Sequence, residues 1–498
     1  MTTANSSPLS VQQVFELAKQ GKLFAGNLIV GGKPAKTVDN TTPIDNSVIG
    51  QIADGTADDV DVAVKAAREC FESGEWKDKH PAERKRIMQA WARLLEAHKD
   101  ELSALDCIDA GKPISECLNT DLPATIETFN WYAESVDKVF GKVAPTGTDA
   151  FSWVVKEPIG VVGAVLPWNF PAQMFAWKVA PALIMGNSVI VKPAELTSLS
   201  AYRMIELAYQ AGVPKAALQM VCGRGETVGQ AIGLHPDIDV VSFTGSTEVG
   251  RLFLQYSAQS NLKEIVLELG GKSPQIVFDD AILDDDAIDN MLAAAFWNMS
   301  ENCSCGSRLL VHHSKKAELL AKLTEKLGAW QLGDPRDENV SLGPMIEQAH
   351  FDKVMNHIKT AQNEGAKLIT GGHSVNIGSG WYVEPTIFDE VDSQMTLFKQ
   401  EVFGPVLAVT TFDVDNDAIA LANDSDYGLA ASFYTQNLGR ALKVANAIKA
   451  GTVSINGFSE GDITTPFGGY KQSGFGGRDN GLEALEQYCQ TKTVWVVR

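Results

Sequence analysis

Val240-Val241-Ser242-Phe243-Thr244-Gly245-Ser246-Thr247-Glu248-Val249-Gly250 is the stretch whose reading decides the fold. Val240 to Phe243 is a near-continuous apolar run, as in a strand buried on both faces of a parallel sheet. Thr244 to Gly250 is a polar, glycine-containing turn that opens a helical stretch. A helix N-terminus there offers N–H donors and the positive end of a dipole to a pyrophosphate, and glycine lets the backbone come close. The spacing is not G-x-G-x-x-G, so the fragment taken alone reads as a plain strand-to-helix turn.

The same alternation extends to either side. Apolar runs at Val161 to Leu166, Ser188 to Val191, Gln219 to Val221 and Gln275 to Phe278 suit further buried strands. Helical spacing at Asp58 to Phe71, Ala82 to Lys99, Ser200 to Gln210 and Thr227 to Gly233 separates or precedes them. Strand, helix, strand in this order predicts an α/β doubly wound, Rossmann-type sheet. Helical patterns resume at Ala317 to Trp330 and Phe351 to Asn363, so a second α/β unit is expected to begin after Gly270-Gly271. Phe151 to Val155 and Lys492 to Arg498 read as isolated strands. They either form a small projecting sheet that pairs subunits or edge the main sheets.

At 498 residues the chain exceeds one compact core, and two or more domains are expected. Hydrophobic residues make up 45% and charged residues 21%, a globular balance. The net charge of -20 disfavours nucleic acid and anionic membranes as partners. Seven cysteines without framework spacing fit free thiols in a reducing compartment. The stretch Met1 to Ser10 is polar, and no apolar run is long enough to span a bilayer, so a cytoplasmic protein without a targeting segment is expected.

Several segments carry chemistry. Val191-Lys192-Pro193-Ala194-Glu195 sets a cation and a carboxylate at a strand's C-terminal end, where α/β sheets bind nucleotides. Both side chains can bond ribose hydroxyls, and a carboxylate there repels a 2′-phosphate. Alone, the pair reads as solvated surface. Asn298-Met299-Ser300-Glu301-Asn302-Cys303-Ser304-Cys305-Gly306-Ser307-Arg308 holds a cysteine in a polar stretch. A free thiol has a pKa of about 8.5 and needs local help to act as a nucleophile at neutral pH. Leu267-Glu268-Leu269-Gly270-Gly271-Lys272-Ser273-Pro274 puts a carboxylate at an apolar strand end. Pro167-Trp168-Asn169-Phe170-Pro171 presents an amide between two prolines. Glu401-Val402-Phe403-Gly404-Pro405 and the Gly-rich Pro466 to Gly474 complete the set.

With these motifs in this order, the sequence resembles the aldehyde dehydrogenase superfamily from near its N-terminus to its C-terminus. The resemblance implies that Cys303 is the nucleophile and Glu268 the base that activates the deacylating water. Asn169 and the backbone N–H of Cys303 then form the oxyanion hole, with Lys178 supporting the site. Lys192 and Glu195 correspond to adenosine-ribose contacts, and Gly245, Ser246 and Gly250 to the pyrophosphate turn. Glu401 and Phe403 correspond to contacts with the nicotinamide ribose and ring, and Trp168 falls on the cofactor side. The implied cofactor is NAD, with NADP as an alternative, and no metal is implied. The implied arrangement is an NAD-binding domain (1–139 and 159–270), a catalytic domain (271–470) and oligomerisation strands (140–158 and 484–498) in a homodimer or homotetramer. Branches that pass the acyl group to coenzyme A generally lack the glutamate, so Glu268 favours hydrolysis to the free acid. One departure stands out: the family usually has glycine where this chain has Ser300, and serine tolerates φ > 0 poorly.

Within the superfamily, the chain resembles the bacterial branch acting on ω-amino, γ-glutamylamino and guanidino aldehydes of polyamine and arginine breakdown. Asn456 to Asp462, Gly111-Lys112-Pro113 through Asp121-Leu122-Pro123, and Trp131-Tyr132-Ala133 carry that likeness. Phe170, Trp177, Trp297 and Phe467 match positions lining the substrate tunnel, and aromatic faces hold cations by roughly 0.5–2 kcal/mol. Asp121, Glu460 and Asp462 are expected to place negative charge near the tunnel mouth. Core packing for the aromatics and a solvated rim for the acids are the competing explanations. Competing functions are a betaine, aliphatic or aromatic aldehyde as substrate, or a fold retained without turnover.

Overall fold

The structure is a computed structural model describing residues 7–498, so the polar stretch Met1 to Ser10 lies outside the described residues as far as position 6. The first large sheet contains β1 (Val161–Val165), β2 (Ser188–Lys192), β3 (Leu218–Met220), β4 (Val240–Thr244) and β5 (Glu264–Glu268). All five are parallel, in spatial order β5-β4-β1-β2-β3, and the short strand Gly474–Phe475 closes the β5 edge antiparallel. β1 to β4 are buried throughout, which is why they read as unbroken apolar runs rather than as alternation. Helices α1 (Pro171–Ile184), α2 (Leu199–Ala211) and α3 (Thr247–Gln259) make crossovers. Pro171 opens α1, where its fixed φ suits a first turn and its missing N–H costs nothing. Ser246 caps α3 by accepting from Val249 N at 3.2 Å.

The second sheet has seven strands: β6 (Pro274–Val277), β7 (Arg308–His312), β8 (Lys367–Thr370), β9 (Thr386–Asp389), β10 (Val406–Phe412), β11 (Ala430–Tyr434) and β12 (Thr452–Ile455). Their order is β8-β9-β10-β7-β6-β11-β12, with only β8 antiparallel to its neighbour. Helices α4 (Asp285–Phe296), α5 (Lys316–Leu327) and α6 (Gln348–Asn363) flank it. The second unit thus starts just after Gly270-Gly271, where the sequence places it.

Three local expectations change. The helix expected over Ala82 to Lys99 runs Pro81–Ala97 and stops two residues early, at His98, whose Nδ1 lies 2.5 Å from buried Glu101 in the next helix, Lys99–Ala110. The helix expected over Thr227 to Gly233 is a π turn, Gly225–Gly229, running into Gln230–Leu234. The helix expected to reach Trp330 ends at Leu327. The two isolated strands pair with each other. Ala150–Pro158 lies antiparallel to Cys489–Val497 and to Lys142–Ala144, in a sheet separate from both large ones. Phe151, Trp495, Val496 and Val497 stand exposed on it.

Candidate active site

The strand order of the first sheet reverses at β1. The chain runs outward through β2 and β3, then returns to place β4 on the other side of β1. Ligands of open α/β sheets bind beyond the carboxyl ends of the strands at such a switch point. Here the segments leaving β1 and β4 are Leu166–Phe170 and Gly245–Ser246, and both border a cleft of about 230 Å³. The amino-terminal ends of β7 and β10 close its other side with Asn302, Cys303, Glu401 and Phe403. Trp168, Asn169, Phe170, Trp177, Glu460 and Phe467 also line it.

Cys303 is held by an unusual backbone. Asn298, Met299 and Ser300 have φ of 52°, 54° and 59°, three successive left-handed residues that reverse the chain after α4. Left-handed conformation costs a non-glycine residue roughly 1–2 kcal/mol. Side-chain hydrogen bonds offset that strain. Asn298 Nδ2 donates to the carbonyls of Asn169 (3.2 Å) and Glu301 (3.0 Å), and Ser300 Oγ donates to Ala295 O at 2.5 Å. The serine in the glycine position is thus at a positive φ, as feared, but is tied to the end of α4. Cys303 is half-buried. Cys305 is buried, with its thiol turned to Ala295 O at 3.2 Å and its pKa pushed up by burial to about 12.

Asn169 Nδ2 donates one hydrogen to Glu301 O at 2.9 Å, which leaves its second hydrogen for the cleft. Glu268 ends β5, buried, with neither carboxylate oxygen hydrogen-bonded among the described residues. A Cβ on Gly468 would stand 2.6 Å from its Oε1, so Glu268 lies directly behind the Phe467 side of the cleft. Burial raises Glu268 well above the carboxylate range; Asp479 adds to this, and Lys178 and Arg478 oppose it. Lys178 itself is buried on α1, bonded to Asp479 Oδ2 (3.1 Å) and Ser242 Oγ (3.2 Å). Burial also raises the Cys303 thiol well above its ordinary value, reinforced by Glu460, Glu401 and Glu268.

The remaining residues fit a dinucleotide by the chemistry of their donors. Lys192 Nζ and Glu195 Oε2 pair at 2.8 Å at the end of β2, with Glu195 partly exposed. α3 opens at its cap Ser246, and Thr244 Oγ1 is buried without a hydrogen-bond partner among the described residues. Glu401 Oε1 accepts from Gly271 N at 2.9 Å, and Phe403 meets the Trp168 ring edge-on at 5.3 Å. Gly250 is not in the cleft wall. It lets α3 pack on Leu269, whose Cδ2 would stand 2.8 Å from a Cβ there.

The aromatic wall is continuous: Trp177 on Phe467 at 5.1 Å and Trp297 behind Phe170 at 5.2 Å, with Trp297 Nε1 fixed to Glu116 at 2.9 Å. Of the three acids expected at the mouth, Glu460 alone is there. Asp121 is 1% exposed and ion-paired at 2.5 Å with equally buried Lys112, so it offers no free charge to a substrate. Asp462 is exposed on its loop and spends its Oδ1 on the backbone N–H (2.9 Å) and hydroxyl of Thr464. His350 and Lys353 line the cleft unforeseen. They stand three residues apart on α6, a spacing that marks a shared helix face but not what that face meets. The contacts of Lys112 Nζ with the Phe170 ring, 3.7 Å from its centroid, and of Asp479 with Lys178 were also missed, because these partners are remote in sequence.

A model of the aldehyde dehydrogenase family matches residues 29–494. An aminoacetaldehyde dehydrogenase of Pseudomonas aeruginosa is 49% identical over 93% of this chain and 92% of its own length. The NADP/NAD-dependent aldehyde dehydrogenase PuuC of Escherichia coli is 42% identical over 97% of each. An indole-3-acetaldehyde dehydrogenase of P. syringae, solved with NAD+, superposes with a TM-score of 0.95 at 41% identity, covering 98% of this chain and 100% of its own.

Two outcomes follow from this geometry. Ser300→Ala keeps the left-handed strain and loses the bond to Ala295, and is expected to destabilise by about 1–2 kcal/mol. Ser300→Gly loses the same bond but relieves the strain, so its thermal midpoint should lie above that of Ser300→Ala; the reverse order contradicts the account. With Cys303 as nucleophile and Glu268 as base, the roles the resemblance implies, both groups would act deprotonated and both are shifted upward, so aldehyde turnover is expected to climb from about pH 6 to about pH 9. A profile that falls over that interval is incompatible with these two groups in those roles.

Proposed function

The chain belongs to the aldehyde dehydrogenase family, and we propose that Cys303, Glu268 and Asn169 perform its NAD-dependent oxidation of aldehydes to carboxylic acids, with ω-amino aldehydes as the preferred substrates. Lys192, Glu195, the α3 N-terminus, Glu401 and Phe403 hold the dinucleotide, whose nicotinamide supplies the hydride acceptor. Cys303 Sγ adds to the aldehyde carbon. Asn169 and the Cys303 amide stabilise the oxyanion; loss of one such donor typically costs roughly 10²–10³ in rate. The acyl group then rests on Cys303 as a thioester. Glu268 takes a proton from the water that hydrolyses it, and its raised pKa makes it a stronger base once ionised. Lys178 holds Asp479 beside that carboxylate.

The observation that carries the substrate class is Glu460, a half-buried carboxylate that lines the same cleft as Cys303 and the aromatic rings of Phe170, Trp177 and Phe467. Such a cleft accepts an alkyl chain, and the acid pairs with an ammonium or guanidinium tail. The relative named for aminoacetaldehyde points the same way. The three-stranded sheet with its exposed Phe151 and Trp495 is the surface we assign to pairing of identical chains.

In a panel of aldehydes, kcat/KM for 4-aminobutanal should exceed that for butanal by about tenfold or more, and Glu460→Gln should remove the difference. Equal values in the native enzyme would sink the cationic-tail assignment. Cys303→Ala should produce no NADH with any aldehyde. For the assembly, deleting residues 489–498 should yield a smaller species in sedimentation; an unchanged mass rules out that sheet as the contact.

A further inference from the structure

Glu460 does more in this cleft than border it. Its Oε1 accepts from Asn302 Nδ2 at 2.7 Å and from the hydroxyl of Ser304, the two residues flanking Cys303. Ser304 N in turn donates to Asn302 Oδ1 at 3.1 Å. The substrate-side loop after β12 and the nucleophile loop before β7 are therefore joined through one carboxylate oxygen. Glu460 Oε2 has no hydrogen bond among the described residues, so its acceptor capacity is left for another donor.

The charged and titratable groups around the sulfur come from four places. Glu268 ends β5, His350 and Lys353 sit on α6, Glu401 precedes β10, and Glu460 follows β12. Three of the five are carboxylates, and of these Glu460 most strongly disfavours negative charge on Cys303. Glu401 is committed to Gly271 N, and Glu268 is buried against Gly468. Burial pushes His350 down to about 4, so it adds no positive charge at neutral pH. Only Glu460 combines contact with the nucleophile's neighbours, influence on the sulfur and a free oxygen.

We propose that Glu460 is a brake on the nucleophile that the substrate's own cationic tail releases. Unpaired, the carboxylate opposes negative charge on Cys303. Once an ammonium or guanidinium group pairs with Oε2, that opposition is cancelled, and Sγ gives up its proton to water in the cleft as it approaches the aldehyde carbon. No electrons are exchanged in this step. The enzyme would thereby keep its thiol protonated, and less open to stray electrophiles, until an aldehyde of the right chemistry arrives. The inference rests on the cationic-tail reading, but it can be tested without any aldehyde.

The measurement is the rate of Cys303 alkylation by iodoacetamide, followed by peptide mass, from about pH 6 to about pH 10. Glutamine at 460 keeps the acceptor for Asn302 and Ser304 and removes only the charge. Glu460→Gln should therefore alkylate about 3- to 30-fold faster at pH 8 than the native enzyme, with its profile displaced to lower pH. Adding 1,4-diaminobutane should accelerate the native enzyme toward the variant's rate, leave Glu460→Gln unchanged, and have no counterpart with 1-butanol. Coincident native and variant profiles overturn the proposal, as does a diamine that slows both or speeds both equally. A flat aldehyde panel alongside displaced alkylation profiles would instead remove the substrate assignment and leave the electrostatic brake standing.

Discussion

A Cβ on Gly270 would stand 2.2 Å from Glu401 Oε2, and one on Gly271 would stand 2.3 Å from the carbonyl oxygen of Cys303. These two positions carry the chain from the first sheet to the second, and three functional segments converge on them. β5 delivers Glu268 two residues earlier, the nucleophile loop lies against Gly271, and Glu401 bonds the Gly271 amide. A side chain at Gly271 would force the backbone of the two loops apart by more than an ångström, and one at Gly270 would displace the Glu401 carboxylate. A displacement of that size from reacting geometry is enough to lose about two orders of magnitude in rate. The cleft exists because the carboxyl ends of one parallel sheet and the amino ends of another approach to backbone contact at this crossing.

Electrostatics in the cleft run against the nucleophile. Burial and three carboxylates favour the neutral thiol, and burial favours neutral Glu268. Each group is held in the form that does not act, at an energy that a bound partner or a proton transfer changes. That arrangement is compatible with the roles proposed for Cys303 and Glu268, in which the base stays idle until the thioester forms. The strained turn at Asn298–Ser300 serves the same end mechanically, since it is over-determined by side-chain bonds to Asn169, Glu301 and Ala295 and so fixes where the sulfur points.

The buried ion pairs show why local chemistry reads so differently from one acid to the next. Asp121 and Glu460 are both carboxylates in segments outside the large sheets. Asp121 falls at the end of a π-helical turn, Cys117–Asp121, that turns it onto Lys112. Lys112 also bonds Asn169 O at 3.3 Å and lies over Phe170, so the pair braces the wall from behind. Glu460 meets no cation within ion-pair distance among the described residues and keeps its charge for the cleft.

The strands, their parallel packing and the family's motifs were legible in the sequence, because each depends on residues adjacent along the chain. Period and composition report a buried strand directly, and a carboxylate at a strand end or an amide between prolines is visible without a fold. Pairing was not legible. Lys178 meets Asp479 301 residues away, and Asp121 is neutralised by Lys112 only because a π turn aligns them. The sequence by itself determined which groups this protein carries and at which strand ends; tertiary structure alone decided which of them are buried, paired or free, since solvation and charge neutralisation are set by neighbours in space.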